Sequence, residues 1–140
     1  MADKSIQFFD NKTRADVDLL CVDAGSSRHV LSVSGLVSAP IVTNAEVGNS
    51  NSHTIVLTFN QVMNQTVAPD GADFAAANIG GAMIEYTTWS DGVLLVNLSD
   101  DVSAGDEPVL TYAPGVIPIQ ALATDLPVAA FADLTVDNNI

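Results

Sequence analysis

Residues 82–99, AMIEYTTWSDGVLLVNLS, give the strongest local indication of secondary structure in the chain. This stretch contains two runs rich in β-branched and other apolar residues, joined through the dipeptide Asp91-Gly92. A two-residue turn between antiparallel strands needs positive φ at its central residues, which Gly and, to a lesser degree, Asp tolerate. The stretch therefore predicts a β-hairpin with strands over 82–89 and 93–99.

Short runs with a period of two continue on both sides of this hairpin. Residues 53–59, HTIVLTF, place Ile55, Leu57 and Phe59 on one face and smaller or polar side chains on the other, which is typical of a half-buried strand. Six strands with frequent turn signals indicate an all-β protein, and the spacing favours an Ig-like β-sandwich with Greek-key connections. The remaining predicted strands cover 39–47, 107–114 and 128–136.

Residues 67–79 are the only stretch in which Ala-rich sequence favours helix. Pro69 and the Gly80-Gly81 pair limit that helix to a turn or two, so we predict a crossover loop between strands of opposite sheets. Four later prolines would interrupt a central ladder, and we expect them at strand ends or on edge strands. They are Pro108, Pro114, Pro118 and Pro127.

Charge is distributed unevenly along the chain. The first 28 residues hold all four basic residues and five of the 17 acidic residues. Residues 29–140 therefore carry twelve acidic residues and no Lys or Arg. Nucleic-acid affinity comes largely from Lys and Arg that neutralise phosphates, so this composition argues against DNA or RNA binding by residues 29–140.

The first 38 residues differ from the rest in charge and pattern. Alternating apolar positions in 15–23 and 28–37 surround the sequence AGSSR, which allows two interpretations. The segment is either an additional strand pair of the sandwich or an arm that docks on another subunit. We favour the arm, because the basic residues cluster there and Gly35 and Pro40 bracket a hinge. The predicted domains are a docking arm or hairpin over 1–38 and a β-sandwich over 39–140.

The segment AGDEPVLTYAPGVIPIQALA, residues 104–123, together with Phe131 and the ending Val136-Asp137-Asn138-Asn139, resembles the last strands of Ig-like repeats in bacterial surface proteins. It is similar in particular to the repeat type of the cyanobacterial swimming-motility surface protein. IVLTFNQVMNQTV, residues 55–67, resembles an early strand of the same modules, so the resemblance covers residues 40–139. Family members carry an acidic residue where this chain has Ala121, and a Gly-Asn turn where it has Thr124-Asp125.

The resemblance also implies a function, because single Ig-like domains without a leader occur in tailed-phage virions. We expect a phage capsid decoration or cement protein, assembled in the host cytoplasm, since residues 1–18 lack the features of a secretory signal peptide. Its partners would be the major capsid protein or identical subunits, which would allow a trimer. The alternative is an Ig-like bacterial surface or adhesin module that binds carbohydrate or calcium. The residues expected to bind the capsid or partner are Lys4, Phe8, Phe9, Lys12, Arg14 and Arg28.

The sequence offers little for catalysis or for a cofactor. His29 and His53 lie in no nucleophile or metal motif, and no phosphate-binding glycine loop is present. Cys21 is the only cysteine, which excludes an internal disulfide and favours a buried apolar role. No apolar run reaches the length of a membrane-spanning helix. We therefore expect no enzyme activity, no cofactor and no membrane segment.

Two binding chemistries remain as expectations. The loop DDVSAGDE, residues 100–107, concentrates carboxylates, which are the ligands that calcium prefers, although the spacing matches no known calcium loop. The aromatic side chains Trp89, Tyr86 and Tyr112 could stack on a sugar, but alternation along a strand leaves at most one of them exposed. Tyr112 is expected to pack in the core against Phe131. The calcium candidates are Asp100, Asp101, Asp106 and Glu107.

Overall fold

A computed structural model describes residues 38–140. These residues form an all-β structure with one 3₁₀ turn over Gly71–Asp73. The strands, in chain order, are β1 (Val42–Gly48), β2 (Asn51–Phe59), β3 (Phe74–Ala77), β4 (Ile84–Ser90), β5 (Val93–Leu98), β6 (Val109–Tyr112), β7 (Phe131–Thr135) and β8 (Asp137–Asn139).

The eight strands form two sheets that enclose one hydrophobic core, which confirms the predicted all-β sandwich. The larger sheet has the order β4-β5-β2-β1-β8 and the smaller one the order β3-β6-β7. All neighbouring strands are antiparallel except β1 and β8, which are parallel. The chain changes sheet after β2, β3, β5 and β7, so β5 rather than β3 is the second neighbour of β2. The large side chains with the least exposure are Tyr112, Ile55, Leu57, Met63, Leu94, Leu110 and Ile119.

The predicted hairpin is confirmed as the β4–β5 pair. Asp91 has φ of 47° and Gly92 has φ of 92°, so both central turn residues occupy the left-handed region. That geometry matches the right-handed twist of the two strands. Ser90 pairs with Val93 and Trp89 with Leu94, which sets the register from the turn outward.

The predicted alternation in β2 is also confirmed, with one addition. Ile55 and Leu57 are fully buried, and Phe59 packs against the core. Thr54 lies on the other face and is nevertheless buried. Its hydroxyl donates a 3.0 Å hydrogen bond to Oδ1 of Asn97, directly opposite on β5. A buried polar pair of this kind is tolerated because each group satisfies the other.

Two predicted segments differ from the structure. Residues 67–79 were expected to form only a crossover loop, but Phe74–Ala77 form β3, which pairs along its whole length with β6. The prediction over 128–136 assumed one strand, whereas the chain bends at Val136 and divides between β7 in the small sheet and β8 in the large one. Val136 is buried, and its N–H donates to the carbonyl of Pro108 at 3.0 Å. This contact stabilises the bend between the two sheets.

The four prolines lie outside the central ladders, as expected. Pro108 precedes β6 and Pro114 follows it by two residues, so they bracket the central strand of the small sheet. Pro118 lies in the following loop, and Pro127 forms an isolated bridge with Gln120. The predicted arm or hairpin lies outside the described residues except for Ser38, so the division into 1–38 and 39–140 stays a prediction.

Candidate functional site

The pairing registers define two ends of the sandwich. β1 begins, β2 ends, β4 ends and β5 begins at one end, since Val42 pairs with Phe59 and Trp89 with Leu94. Gly48 pairs with Asn51 at the other end. Exposed apolar side chains concentrate at the first end, which we call the apolar end. Acidic side chains concentrate at the second, which we call the acidic end.

An exposed pair of branched side chains marks the apolar end. Met63 and Ala121 form a short antiparallel bridge, and both side chains are buried. Val62 and Leu122, one residue outward on each side, are joined by a 2.9 Å hydrogen bond from the Leu122 N–H to the Val62 carbonyl. Because side chains alternate along an extended segment, these two point away from the core. Val62 is 69% exposed and Leu122 56% exposed.

The loop that leads into this bridge carries more apolar surface. Val116 is 99% exposed and Ile117 is 43% exposed. Gly115 lies against the Asp73 carboxylate, where a Cβ would come within 2.1 Å of Oδ1, so no larger residue fits without displacing that side chain. The Asp73 carbonyl accepts a 2.9 Å hydrogen bond from the N–H of Ala113. The loop is therefore held at its base while its tip presents valine to solvent.

Tyr112 anchors the same loop from the core. Its ring lies between those of Phe74 and Phe131, with centroid distances of 4.9 and 5.5 Å, which confirms the expected contact with Phe131. Its hydroxyl oxygen accepts a 2.9 Å hydrogen bond from the buried N–H of Ile119. Burial raises the pKa of Tyr112, the bond from Ile119 opposes that shift, and the charge of Asp73 adds to it. The phenol is therefore a structural group.

An apolar groove lies where the described chain begins, between the start of β1 and the strand β7. Ile41, in its wall, is 57% exposed. β8 pairs with β1 only over Glu46–Gly48, so no strand of residues 38–140 pairs with the outer edge of Val42–Ala45. β7 is likewise an edge strand. The residues that line the groove are Pro40, Ile41, Val42, Val128, Ala129, Ala130, Phe131 and Leu134.

The acidic end contains two separate depressions. One is lined by His53, Glu85, Asp100 and Asp101 among others. Oδ1 of Asp101 accepts a 2.7 Å hydrogen bond from Ser52 and lies 3.5 Å from Nδ1 of His53.

The second depression lies beside the end of β7. It is lined by Asp106, Glu107, Asp137 and Asn138 among others. Oδ2 of Asp106 accepts from the N–H of Ser103 at 2.8 Å, and the Asn138 side chain donates to the carbonyls of Ser103 and Asp106. These bonds hold the loop between β5 and β6 in place.

The structure thus divides the four calcium candidates into two pairs. Asp100 and Asp101 lie in the first depression, and Asp106 and Glu107 in the second. Within residues 38–140, no group of three or more His, Cys, Asp or Glu side chains is arranged to hold a metal ion. Asp100 and Asp106 instead accept hydrogen bonds from N–H groups of the loop, and Asp101 accepts one from the Ser52 hydroxyl on β2. The four acids are close together in the chain, but in the folded structure three of them accept hydrogen bonds that stabilise the loop.

The aromatic residues form no shared platform. Tyr112 is buried, and Tyr86 is 52% exposed. Trp89 is half-buried: its ring packs against Phe59, and its Nε1 donates a 3.1 Å hydrogen bond to the Val67 carbonyl. Tyr86 is therefore the one of the three that is largely exposed, in agreement with the expectation from strand alternation.

The residues expected to bind a capsid or partner, Lys4, Phe8, Phe9, Lys12, Arg14 and Arg28, lie outside the described residues, as do His29 and Cys21. Val62 and Leu122 were not identified from sequence. Their signal is weak, because residues 60–67 and 119–123 look like loops until the bridge between Met63 and Ala121 brings them together. Among residues 38–140, no helix has the length and apolar character needed to cross a bilayer.

No protein-family model matches the chain, and no curated protein matches it significantly. Its structure is similar to a crystal structure of the N-terminal part of the bacterial S-layer protein SbsC, with a TM-score of 0.53 and 15% sequence identity. That match covers 71% of this chain and 24% of the other. A crystal structure of the S-layer protein rSbsC(31-844) gives a TM-score of 0.52 at 15% identity, covering 76% of this chain and 14% of the other. The chain therefore shares the β fold of a small part of a bacterial surface protein.

Proposed function

We propose that this chain is a structural, non-enzymatic module that assembles into a protein coat through its apolar end. The observation that carries this proposal is the exposed cross-strand pair Val62 and Leu122, beside a loop whose tip exposes Val116 almost completely. Contiguous exposed apolar side chains on a folded domain mark contact surfaces, because water excluded from them on association favours binding.

The acidic end is suited to remain in solvent and not to form a contact. Seven of the twelve acidic residues of residues 29–140 lie there, and no Lys or Arg of that range compensates them. A surface of one charge sign repels identical surfaces and keeps a protein soluble at high local concentration. Copies of such a module would therefore associate through their apolar ends, because their acidic ends repel each other. The seven are Glu46, Glu85, Asp100, Asp101, Asp106, Glu107 and Asp137.

The coat that this fold supports best is a bacterial surface layer, since the similar structures belong to an S-layer protein. In that setting the chain supplies one β module, and the partners are neighbouring modules of the layer. Binding of carbohydrate would be an additional property of such a module, but calcium binding is not part of this proposal, because the four candidate acids lie in two separate depressions.

The second candidate is a phage capsid decoration protein, and a different observation favours it. All four basic residues precede residue 29, where five acidic residues accompany them, so a nearly neutral segment is joined to an anionic body, as a cement protein with a docking segment would require. In that setting the partner is the major capsid protein, and a closed oligomer such as a trimer sits at a symmetry axis.

Self-association of the full chain tests the proposal. We expect mass to rise with concentration in light scattering, and the double variant Val62→Asp, Leu122→Asp to weaken association by about tenfold or more, since two charges would be buried in the contact. The control is Asn49→Asp, Ser50→Asp, which adds the same charge at the acidic end. Equal association of the two double variants would contradict an apolar-end contact, and a wild-type chain that stays monomeric would contradict self-assembly.

Electron microscopy of the concentrated protein distinguishes a surface-layer module from a capsid decoration protein. Open sheets or filaments are the products of a surface-layer module, because its contacts repeat without closing. Discrete particles of a few copies are the products of a decoration protein. Trypsin adds a second readout, since all its sites lie at or before Arg28. Slower cleavage on isolated capsids than in free protein would favour the decoration role, and equal cleavage would count against it.

A further inference from the structure

The apolar groove between β1 and β7 is bordered by two strand edges that no strand of residues 38–140 occupies. One edge is Val42–Ala45 of β1, beyond the point where its pairing with β8 stops. The other is the outer edge of β7. Exposed strand edges present unpaired N–H and C=O groups and are templates for an additional strand. Between these edges the floor is apolar, with Val128 and Phe131 among its lining residues.

An extended peptide with alternating apolar side chains would suit such a groove. Main-chain hydrogen bonds to a strand edge supply affinity, and pockets for every second side chain supply specificity. Ala129 and Ala130 in the groove wall are small and exposed, which leaves room above the floor. Residues 38–140 contribute no Lys or Arg to the surface around the groove, so a peptide without acidic residues fits it best.

The chain itself contains a segment of this description, His29–Val37, with the sequence HVLSVSGLV. In an extended conformation, Leu31, Val33 and Val37 would share one face, and Ser32 and Ser34 would lie on the other face together with Val30 and Leu36. No acidic residue occurs from 24 to 45, and Arg28 precedes the segment. The segment therefore adds no negative charge to that of the anionic body, and Arg28 beside it is of opposite sign.

The position of this segment in the chain also matters. The described residues begin at Ser38, two residues before Pro40 in the groove wall. Only Ser38 and Ala39 separate residues 29–37 from Pro40, so the segment can reach a second groove only where that groove lies close to the one of its own molecule. A strand donated from one copy to the next would therefore start beside one groove and end in another.

The turn chemistry at Ser38–Ile41 favours a neighbouring copy over a tight hairpin onto the same β1. Ile41 is fixed to Asn60 by two hydrogen bonds, of 3.0 and 3.1 Å. A two-residue hairpin turn would then fall on Ala39-Pro40. The common hairpin turns need positive φ at one or both central residues, which proline cannot adopt and alanine adopts at a cost.

We propose that the groove between β1 and β7 accepts residues 29–37 of a second copy of this chain as an added strand. This inference rests on the proposed assembly function, and it specifies one contact between neighbouring copies. Head-to-tail donation does not close on itself unless the geometry forms a ring, so it generates chains or rings of copies. The apolar end then supplies the lateral contacts.

Complementation between two variants of the full chain tests this proposal. Ala130→Glu places a carboxylate in the groove wall, and Val33→Glu places one on the apolar face of the donated segment. Each alone is expected to weaken association by about tenfold or more, because a charge in an apolar contact is left unpaired. Ala132→Glu, exposed and outside the groove lining, and Ser34→Glu, on the other face of the segment, are the matched controls.

With Val62→Asp and Leu122→Asp also present in both chains to remove the lateral contacts, an equal mixture of Ala130→Glu and Val33→Glu should form a complex of two chains and stop there. The first variant retains an intact segment and the second an intact groove, so one functional contact remains per pair. Light scattering after size-exclusion chromatography reads the mass directly, and circular dichroism with thermal melting verifies that each variant is folded. Where Ala130→Glu proves unfolded, Ala129→Glu takes its place.

Three results would overturn the inference. They are association of Ala130→Glu equal to that of wild type, a mixture that remains monomeric, and a wild-type chain that is monomeric at all concentrations. The first result, combined with lost association in the Val62, Leu122 double variant, would leave the proposed function standing and remove only the strand donation. Monomeric wild type would remove both.

Discussion

Replacing Tyr112 by Phe removes a single oxygen atom from the centre of the molecule. The ring contacts with Phe74 and Phe131 remain, at centroid distances of 4.9 and 5.5 Å in the wild type, so packing is almost unchanged. What is lost is the acceptor of the 2.9 Å hydrogen bond from the N–H of Ile119, a residue only 1% exposed. That N–H is then buried without a partner.

The expected loss follows from that unpaired donor. A buried polar group left without its partner costs about 1–3 kcal/mol, and removal of the phenol's own burial cost offsets part of it. We expect the free energy of unfolding to fall by roughly 1–2 kcal/mol, which lowers the melting temperature by about 4–8 °C. Urea unfolding followed by the fluorescence of Trp89, the only tryptophan, measures the change.

The pH dependence gives an independent readout of the same group. The pKa of Tyr112 is raised in the folded state above the ordinary value of 10.0, chiefly by burial. The stability linked to the neutral phenol is therefore fully present below pH 10, and it is lost as the pH rises through the raised pKa. Above pH 10, Tyr112→Phe should lose less stability than wild type does.

Tyr86→Phe is the matched control, because it removes the same atom from a side chain that is 52% exposed. We expect its stability to stay within about 0.5 kcal/mol of wild type at neutral pH. Equal stability of the Tyr112 and Tyr86 variants, or the same alkaline loss in wild type and Tyr112→Phe, would refute the role assigned to this hydrogen bond.

Two further measurements test the turn and the acidic loop. Gly92→Ala should cost about 1–2 kcal/mol in thermal unfolding, because φ of 92° strains any residue with a Cβ, whereas Gly48→Ala, in open space, should change stability by less than about 0.5 kcal/mol. Equal melting of the two variants would remove the turn explanation. Calcium at millimolar concentration should leave the melting temperature measured in EDTA unchanged, because the four acids lie in two separate depressions. Calcium at about 100 times its dissociation constant would raise the free energy of unfolding by about 2.7 kcal/mol. A rise of several degrees in the melting temperature would therefore show that calcium binds, against this prediction.

Local patterns in the sequence determine much of the sandwich. Asp91-Gly92 specifies a hairpin because few residues accept positive φ, and the alternation Ile55, Leu57, Phe59 specifies which face of β2 is buried. Both patterns extend over only a few residues, so they can be recognised from the local sequence alone. The prolines around β6 act in the same local way, because each removes a ladder donor wherever it stands.

Other features depend on contacts between segments far apart in the chain, so the pattern of neighbouring residues does not specify them. Phe74–Ala77 become a strand because β6 offers a partner edge, although their composition favours helix. The last strand divides at Val136 because its two halves find partners in different sheets.

The candidate site belongs to this second group. Val62 and Leu122 form one exposed pair only because Met63 meets Ala121, 58 positions further along the chain. The acids of residues 100–107 are neighbours in sequence, yet the Asp101 carboxylate bonds to Ser52 of β2, whereas Asp106 lines a depression together with Asp137 and Asn138 of β8. A period-two pattern sets which side chains leave a strand on the same face, but the pairing of strands far apart in the chain sets which side chains meet.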